Sequence, residues 1–135
     1  MMDREALIAR LLDHYQKPRH RGALVGADVT LTGGDPGCGD TIVAYLKVAP
    51  GGEALAEVSF EGQGCTISQA AASILGERVI GMTLAEITAM DEAEMLDLLG
   101  REVVSSRPRC ATLALRTLKA AITKYRMDAA RGVRG

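Results

Sequence analysis

Aromatic residues are nearly absent from this chain, which has three tyrosines, one phenylalanine and no tryptophan in 135 residues. That leaves little with which to stack nucleic-acid bases. A basic surplus is missing too: 16 Lys and Arg against 17 Asp and Glu give a formal charge of −1, without the electrostatic footprint of a nucleic-acid protein. No apolar run nears the roughly 20 residues of a membrane span. The opening MMDREALIARLLDHY is too charged for a signal peptide. A cytoplasmic protein with no nucleic-acid and no membrane partner is expected. Cysteine is scarce and odd in number, three in all. This excludes a complete disulfide framework within one chain and suits free thiols or thiolate ligands in a reducing compartment.

What the chain does have is glycine, 15 residues of 135, above the usual ~7%, and much of it sits beside the cysteines. Hydrophobic content of 47% and charged content of 24% are ordinary for a globular protein. A single domain over residues 1–135 is expected, long enough to bury roughly two thirds of its unfolded surface.

Asp3 is placed to cap a first helix with apolar positions Ile8, Leu11, Leu12 and Tyr15, ended by Pro18. Three segments then alternate with period two: Ala27 to Thr32, Thr41 to Val48, and Ala56 to Glu61, with Ala56, Val58 and Phe60 on the apolar side. Pro50-Gly51-Gly52 joins the last two as a hairpin. From residue 66 the period becomes helical: Ile67, Ala70, Ala71 and Ile74; Leu84 and Ile87; Met95, Leu98 and Leu99 after a capping Asp91; then Ala111, Ala114, Leu115, Leu118 and Ile122. Met82, Met90, Met95 and Met127 read as core filler. Strands followed by helices predict an α+β fold, a three-stranded antiparallel sheet with helices packed on one face. The tail after residue 130 is expected to fray.

The cysteines avoid the middles of the apolar stripes. Cys38 lies in Gly33-Gly34-Asp35-Pro36-Gly37-Cys38-Gly39-Asp40, Cys65 follows Glu61-Gly62-Gln63-Gly64 just before a helix, and Cys110 opens the last helix. Helix starts carry unpaired N–H groups and positive dipole character, which favour thiolate over thiol. Three thiolates with Asp40 would complete a tetrahedral set for zinc or for the exposed irons of a small cluster. Spacing alone leaves the alternatives open: three buried thiols, and an Asp40 that only closes a turn.

Three motifs in order then carry a resemblance: Pro36-Gly37-Cys38-Gly39-Asp40, Gly62-Gln63-Gly64-Cys65-Thr66-Ile67-Ser68 and Arg109-Cys110-Ala111-Thr112-Leu113, with Asp13-His14-Tyr15-Gln16-Lys17-Pro18-Arg19 ahead of them. From about Leu7 to Tyr125 the chain resembles the IscU/NifU N-terminal/SufU family of iron–sulfur cluster assembly scaffolds. The resemblance implies that Cys38, Asp40, Cys65 and Cys110 converge to hold zinc at rest, or iron and a transient 2Fe–2S cluster. It also implies sulfur supplied by a cysteine desulfurase and delivery to apo iron–sulfur proteins. A carboxylate among thiolates makes a weaker, more exchangeable site, which suits release.

Two departures bear on mechanism. Arg109 stands where IscU proteins place a histidine and cannot serve as a metal ligand. It is expected to pair with Asp40, to stabilise a thiolate or persulfide on Cys110, or simply to sit solvated at the helix start. Residues Glu102 to Pro108 lack the Leu-Pro-Pro-Val-Lys motif that IscU offers its dedicated Hsp70-type chaperone, so that partner is not expected. The chain also lacks the segment that SufU proteins insert between the second and third cysteines. Arg109 itself resembles the SufU branch, which carries lysine there, and a zinc-dependent sulfurtransferase is the alternative, with Cys110 as its persulfide acceptor; a zinc-stabilised interaction domain is the third reading. His14, expected to bond the last carbonyls of its helix, and His20, in a basic run, are surplus to the ligand set.

Overall fold

The computed structural model describes residues 3–35 and 39–130. Cys38 and the tail expected to fray lie outside the described residues. The elements run α1 (Arg4–Gln16), β1 (Val29–Gly34), β2 (Thr41–Val48), β3 (Leu55–Gln63), α2 (Thr66–Val79), α3 (Leu84–Ala89), α4 (Glu92–Leu99) and α5 (Pro108–Ala130). The sheet is antiparallel throughout, in the order β1-β2-β3. Its inner rows are Val29, Leu46 and Val58, then Leu31, Ala44 and Phe60. Against them pack α2, over β3, and α5, over β1 and β2. Ala111, Ala114, Leu115, Leu118 and Ile122 on α5 and Ala70, Ala71 and Ile74 on α2 are all buried. This is the expected α+β arrangement. Its driving force is that apolar area, each large side chain contributing about 1.5–3 kcal/mol when removed from water.

Local departures from the sequence pattern have identifiable causes. β1 runs on through Gly33 and Gly34, which pair with Ile42 and Thr41, so the glycine stretch begins as strand and not as loop. β3 starts with Leu55 turned inward and Ala56 exposed. The register passes from Lys47–Glu57 to Val48–Leu55, and Ala56 is the extra residue of that bulge. On α1, Asp3 caps as expected, accepting from the Ala6 N–H. The inward face, however, is Leu7, Leu11 and His14, while Ile8, Leu12 and Tyr15 are exposed. The stripe is one residue out because a polar side chain, His14, occupies a core position. Met90 and Met95 are buried, but Met127 is exposed. It falls five residues after Ile122, about 140° around the helix from the packed face.

Candidate metal centre

Cys65 is the N-cap of α2, with extended backbone, and its side chain makes no capping hydrogen bond. Ser, Thr, Asp and Asn are the residues that stabilise such a position, so the sulfur there serves helix formation poorly and is left to face the neighbouring loop. That loop brings Asp40, whose Oδ2 accepts from the Cys65 N–H at 3.1 Å. The approach depends on Gly64. A Cβ on it would lie 2.5 Å from Asp40 Cγ and 2.6 Å from Ser68 Oγ. Burial by itself would raise the Asp40 carboxyl. The Cys65 N–H, then the Ser68 hydroxyl and Cys65 side chain, then the charge of Arg107 outweigh it and hold the group below its ordinary value.

Cys110 arrives from the other side. Pro108 begins α5, where a missing N–H costs nothing, and Cys110 two residues on is only 3% exposed. As a ligand it serves in its reduced, thiolate form. Among the described residues, the ligand atoms of Asp40, Cys65 and Cys110 lie within 4.8 Å of one another. The edges of a tetrahedron with metal–sulfur bonds of ~2.3 Å are about 3.8 Å, so a modest contraction closes the set around zinc. Two sulfurs and one carboxylate oxygen from three separate elements are a donor set that zinc or iron accepts.

Of the alternatives for Arg109, pairing with Asp40 gives way to another carboxylate: its side chain is 67% exposed and its Nε donates to Asp35 Oδ1 at 3.2 Å. Asp35 is 5% exposed and also meets Arg116, whose Nη2 lies 2.9 Å from Oδ2. Sequence reasoning overlooked Asp35, Arg116, Gly64 and Ser68. A signal for one of them was present, since Arg109 and Arg116 stand seven apart, two turns along one face of the last helix.

His14 and His20 do not join the cluster. Ser73 Oγ accepts from the Arg19 N–H at 2.8 Å and lies 2.7 Å from His14 Nδ1. In the neutral tautomer with its proton on Nε2, 3.3 Å from Glu77 Oε1, Nδ1 accepts from the Ser73 hydroxyl. Burial first, then the charge of Arg19, lowers the His14 pKa despite the pull of Glu77. His14 is thus an inter-helix bond, and the expected contact with the last carbonyls of α1 is replaced by one to α2. His20, at φ 53°, rests its ring 3.3 Å from where a Cβ on Gly76 would be.

A family model described as the NifU-like N terminal domain matches residues 8–131. The iron–sulfur cluster assembly scaffold protein IscU of Thermotoga maritima is 35% identical over 130 residues, covering 84% of this chain and 90% of that one. The zinc-dependent sulfurtransferase SufU of Bacillus subtilis is 28% identical over 131 residues, covering 84% and 87%. In fold, the N-terminal part of a NifU-like protein from Brucella abortus matches with a TM-score of 0.72 at 22% identity, covering 87% of this chain and 92% of that one.

Proposed function

The chain belongs to the NifU-like N-terminal domain family, and on that premise we propose that it is an iron–sulfur cluster assembly scaffold. Cys38, Asp40, Cys65 and Cys110 are its ligands, on one domain over residues 1–135. They hold zinc at rest. Their cargo is iron or a transient 2Fe–2S cluster, made with sulfur from a cysteine desulfurase and handed to apo iron–sulfur proteins in the cytoplasm. One observation carries this reading: Asp40, Cys65 and Cys110 come from a loop and two helix starts, far apart in sequence, to within 4.8 Å of one another. A buried structural zinc needs no such assembly from a glycine-rich loop whose Gly39 and Asp40 remain partly open to solvent. No helix among the described residues is long and apolar enough to cross a membrane.

The residues divide the work by softness and access. The thiolates bind soft metal strongly. Asp40 offers a harder oxygen that is more easily exchanged for an acceptor's thiolate. Its hydrogen bond from the Cys65 N–H competes with ligation, which lowers the barrier to letting the cargo go. The test is anaerobic reconstitution with iron, cysteine and a desulfurase on the parent and on Asp40→Ala, followed by visible charge-transfer absorption. The parent should gain and then lose the absorption on addition of an apo-acceptor, and Asp40→Ala should keep it longer. A chain that retains zinc but takes up no iron under these conditions is not a scaffold.

The second reading is a zinc-dependent sulfurtransferase, favoured by Arg109 beside Cys110, which adds positive charge but no ligand. In that step the Cys110 thiolate attacks the outer sulfur of the desulfurase persulfide. The S–S bond of the donor breaks, a new one forms on Cys110, and the desulfurase leaves as its thiolate without net oxidation. Cys110 is 3% exposed, so the site must open first. Unchanged sulfur loading in Cys110→Ser would remove this assignment.

A further inference from the structure

We propose that Asp35 is a positioning residue that seats the loop carrying Asp40 against the start of α5, fixing where that carboxylate stands relative to Cys65 and Cys110. The inference rests on the reading of those three residues as metal ligands.

Asp35 is a buried carboxylate, and such a group persists only where opposite charge and hydrogen bonds satisfy it. Here both oxygens are taken by α5: Oδ1 by Arg109 Nε at 3.2 Å and Oδ2 by Arg116 Nη2 at 2.9 Å. Arg116 is itself fixed. Its Nη2 also donates to the Arg109 carbonyl at 2.7 Å, its Nε to Thr112 Oγ1 at 3.3 Å, and Glu92 Oε1 lies 3.6 Å from Nε. The clamp therefore belongs to the same two turns of helix that present Cys110.

The Asp35 main chain carries the constraint onward. Its carbonyl accepts from the Gly39 N–H at 2.7 Å, and Gly39 takes φ +80°, a conformation that glycine adopts without steric cost. Asp40 is the next residue, and its carboxylate reaches the Cys65 N–H. One loop is thus tied to α5 through Asp35 and to α2 through Asp40. This gives Arg109 a role that neither ligation nor persulfide stabilisation requires: it holds the loop from outside the metal set.

The experiment measures zinc affinity of the reduced full chain by competition with a chromophoric chelator. It is run at a temperature where circular dichroism shows parent and Asp35→Asn both folded. An affinity compared between folded proteins is not moved by a loss of global stability alone. Asp35→Asn keeps the side chain's shape and removes its charge, and should bind zinc about 10- to 100-fold more weakly, as expected when support behind a ligand is lost. Cobalt(II) at saturation should show weaker tetrahedral d–d bands than in the parent. Arg116→Gln should move both readouts the same way, and combining it with Asp35→Asn should add little. If Asp35→Asn does not fold, Arg109→Gln decides, since that arginine side chain is 67% exposed and dispensable for packing; weaker zinc binding supports the clamp and parent-like binding overturns it. A folded Asp35→Asn that binds zinc as tightly as the parent, with the same cobalt spectrum, ends the positioning role and leaves the site standing. A parent that binds neither metal ends the reading of the site itself, and this inference with it.

Discussion

The starts of α2 and α5 each present a cysteine, and each takes one aspartate from the same β1–β2 loop, yet they hold it by different chemistry. At α2 the partner is Asp40, resting on the Cys65 N–H and the Ser68 hydroxyl. At α5 it is Asp35, set between the guanidinium groups of Arg109 and Arg116. Amide and hydroxyl donors favour the ionised carboxylate without cancelling its charge, so Asp40 keeps its attraction for a cation. A carboxylate between two guanidinium groups is already neutralised. Two aspartates five residues apart are thereby given opposite duties, one toward metal and one toward the fold. Burial reinforces the division: Asp35 is 5% exposed, whereas Asp40 is only half-buried.

The largest effect should come from breaking the α5 side. Asp35→Ala leaves Arg116 partly buried beside an empty site, and chemical denaturation of the reduced protein should show a loss of about 2–3 kcal/mol, below the range for fully buried pairs because both arginines can turn toward water. A loss under about 0.5 kcal/mol, the size of a surface change, would erase the contrast drawn between the two aspartates. The α2 side should answer in the opposite sense. Cys65→Ser puts a good capping residue where the sulfur makes no capping bond, so the metal-free protein should gain about 0.5–1 kcal/mol while its zinc binding collapses. A variant that loses stability together with zinc binding would show that the sulfur supports the helix after all.

The smallest effect lies away from both helix starts, at His14. Its folded-state pKa is depressed below 6.5, by burial above all. The unfolded chain therefore takes up a proton before the native one does. Stability contributed by neutral His14 is complete above pH ~6.5 and declines as the pH falls through that value toward the lower native pKa. Denaturation midpoints followed downward from neutral pH should fall in the parent and fall less steeply in His14→Gln. Equal slopes would assign the decline to other groups.

Much of the fold was legible because periodicity reports burial directly. The sheet's inner rows and the α5 stripe could be read off Ile42, Ala44, Leu46 and Leu115, Leu118, Ile122, each of which is buried as its spacing implies. Where the reading slipped, a hydrogen bond or a bulge had displaced the pattern. His14 took a core position on α1 because Ser73 satisfies it, and Ala56 turned outward because the register shifts beside it. The candidate site was legible in its chemistry, cysteines beside glycines at helix starts with Asp40 close by. It was not legible in its support. A sequence shows that Asp35, Arg109 and Arg116 are charged, but which charges meet depends on how β1 delivers its loop to α5.

The sequence alone settled which atoms are available: soft sulfurs, one adjacent carboxylate, and too few aromatics or cations for nucleic acid. It also settled the order of strands and helices, since local periodicity and capping act over a few residues. Only the tertiary structure decided that Cys65 and Cys110, 45 positions apart, stand beside Asp40, and that Arg109 turns to Asp35. Those choices depend on the packing of α2 and α5 against one sheet face, where burial brings distant helix starts together and leaves a carboxylate that must find its counter-charge there.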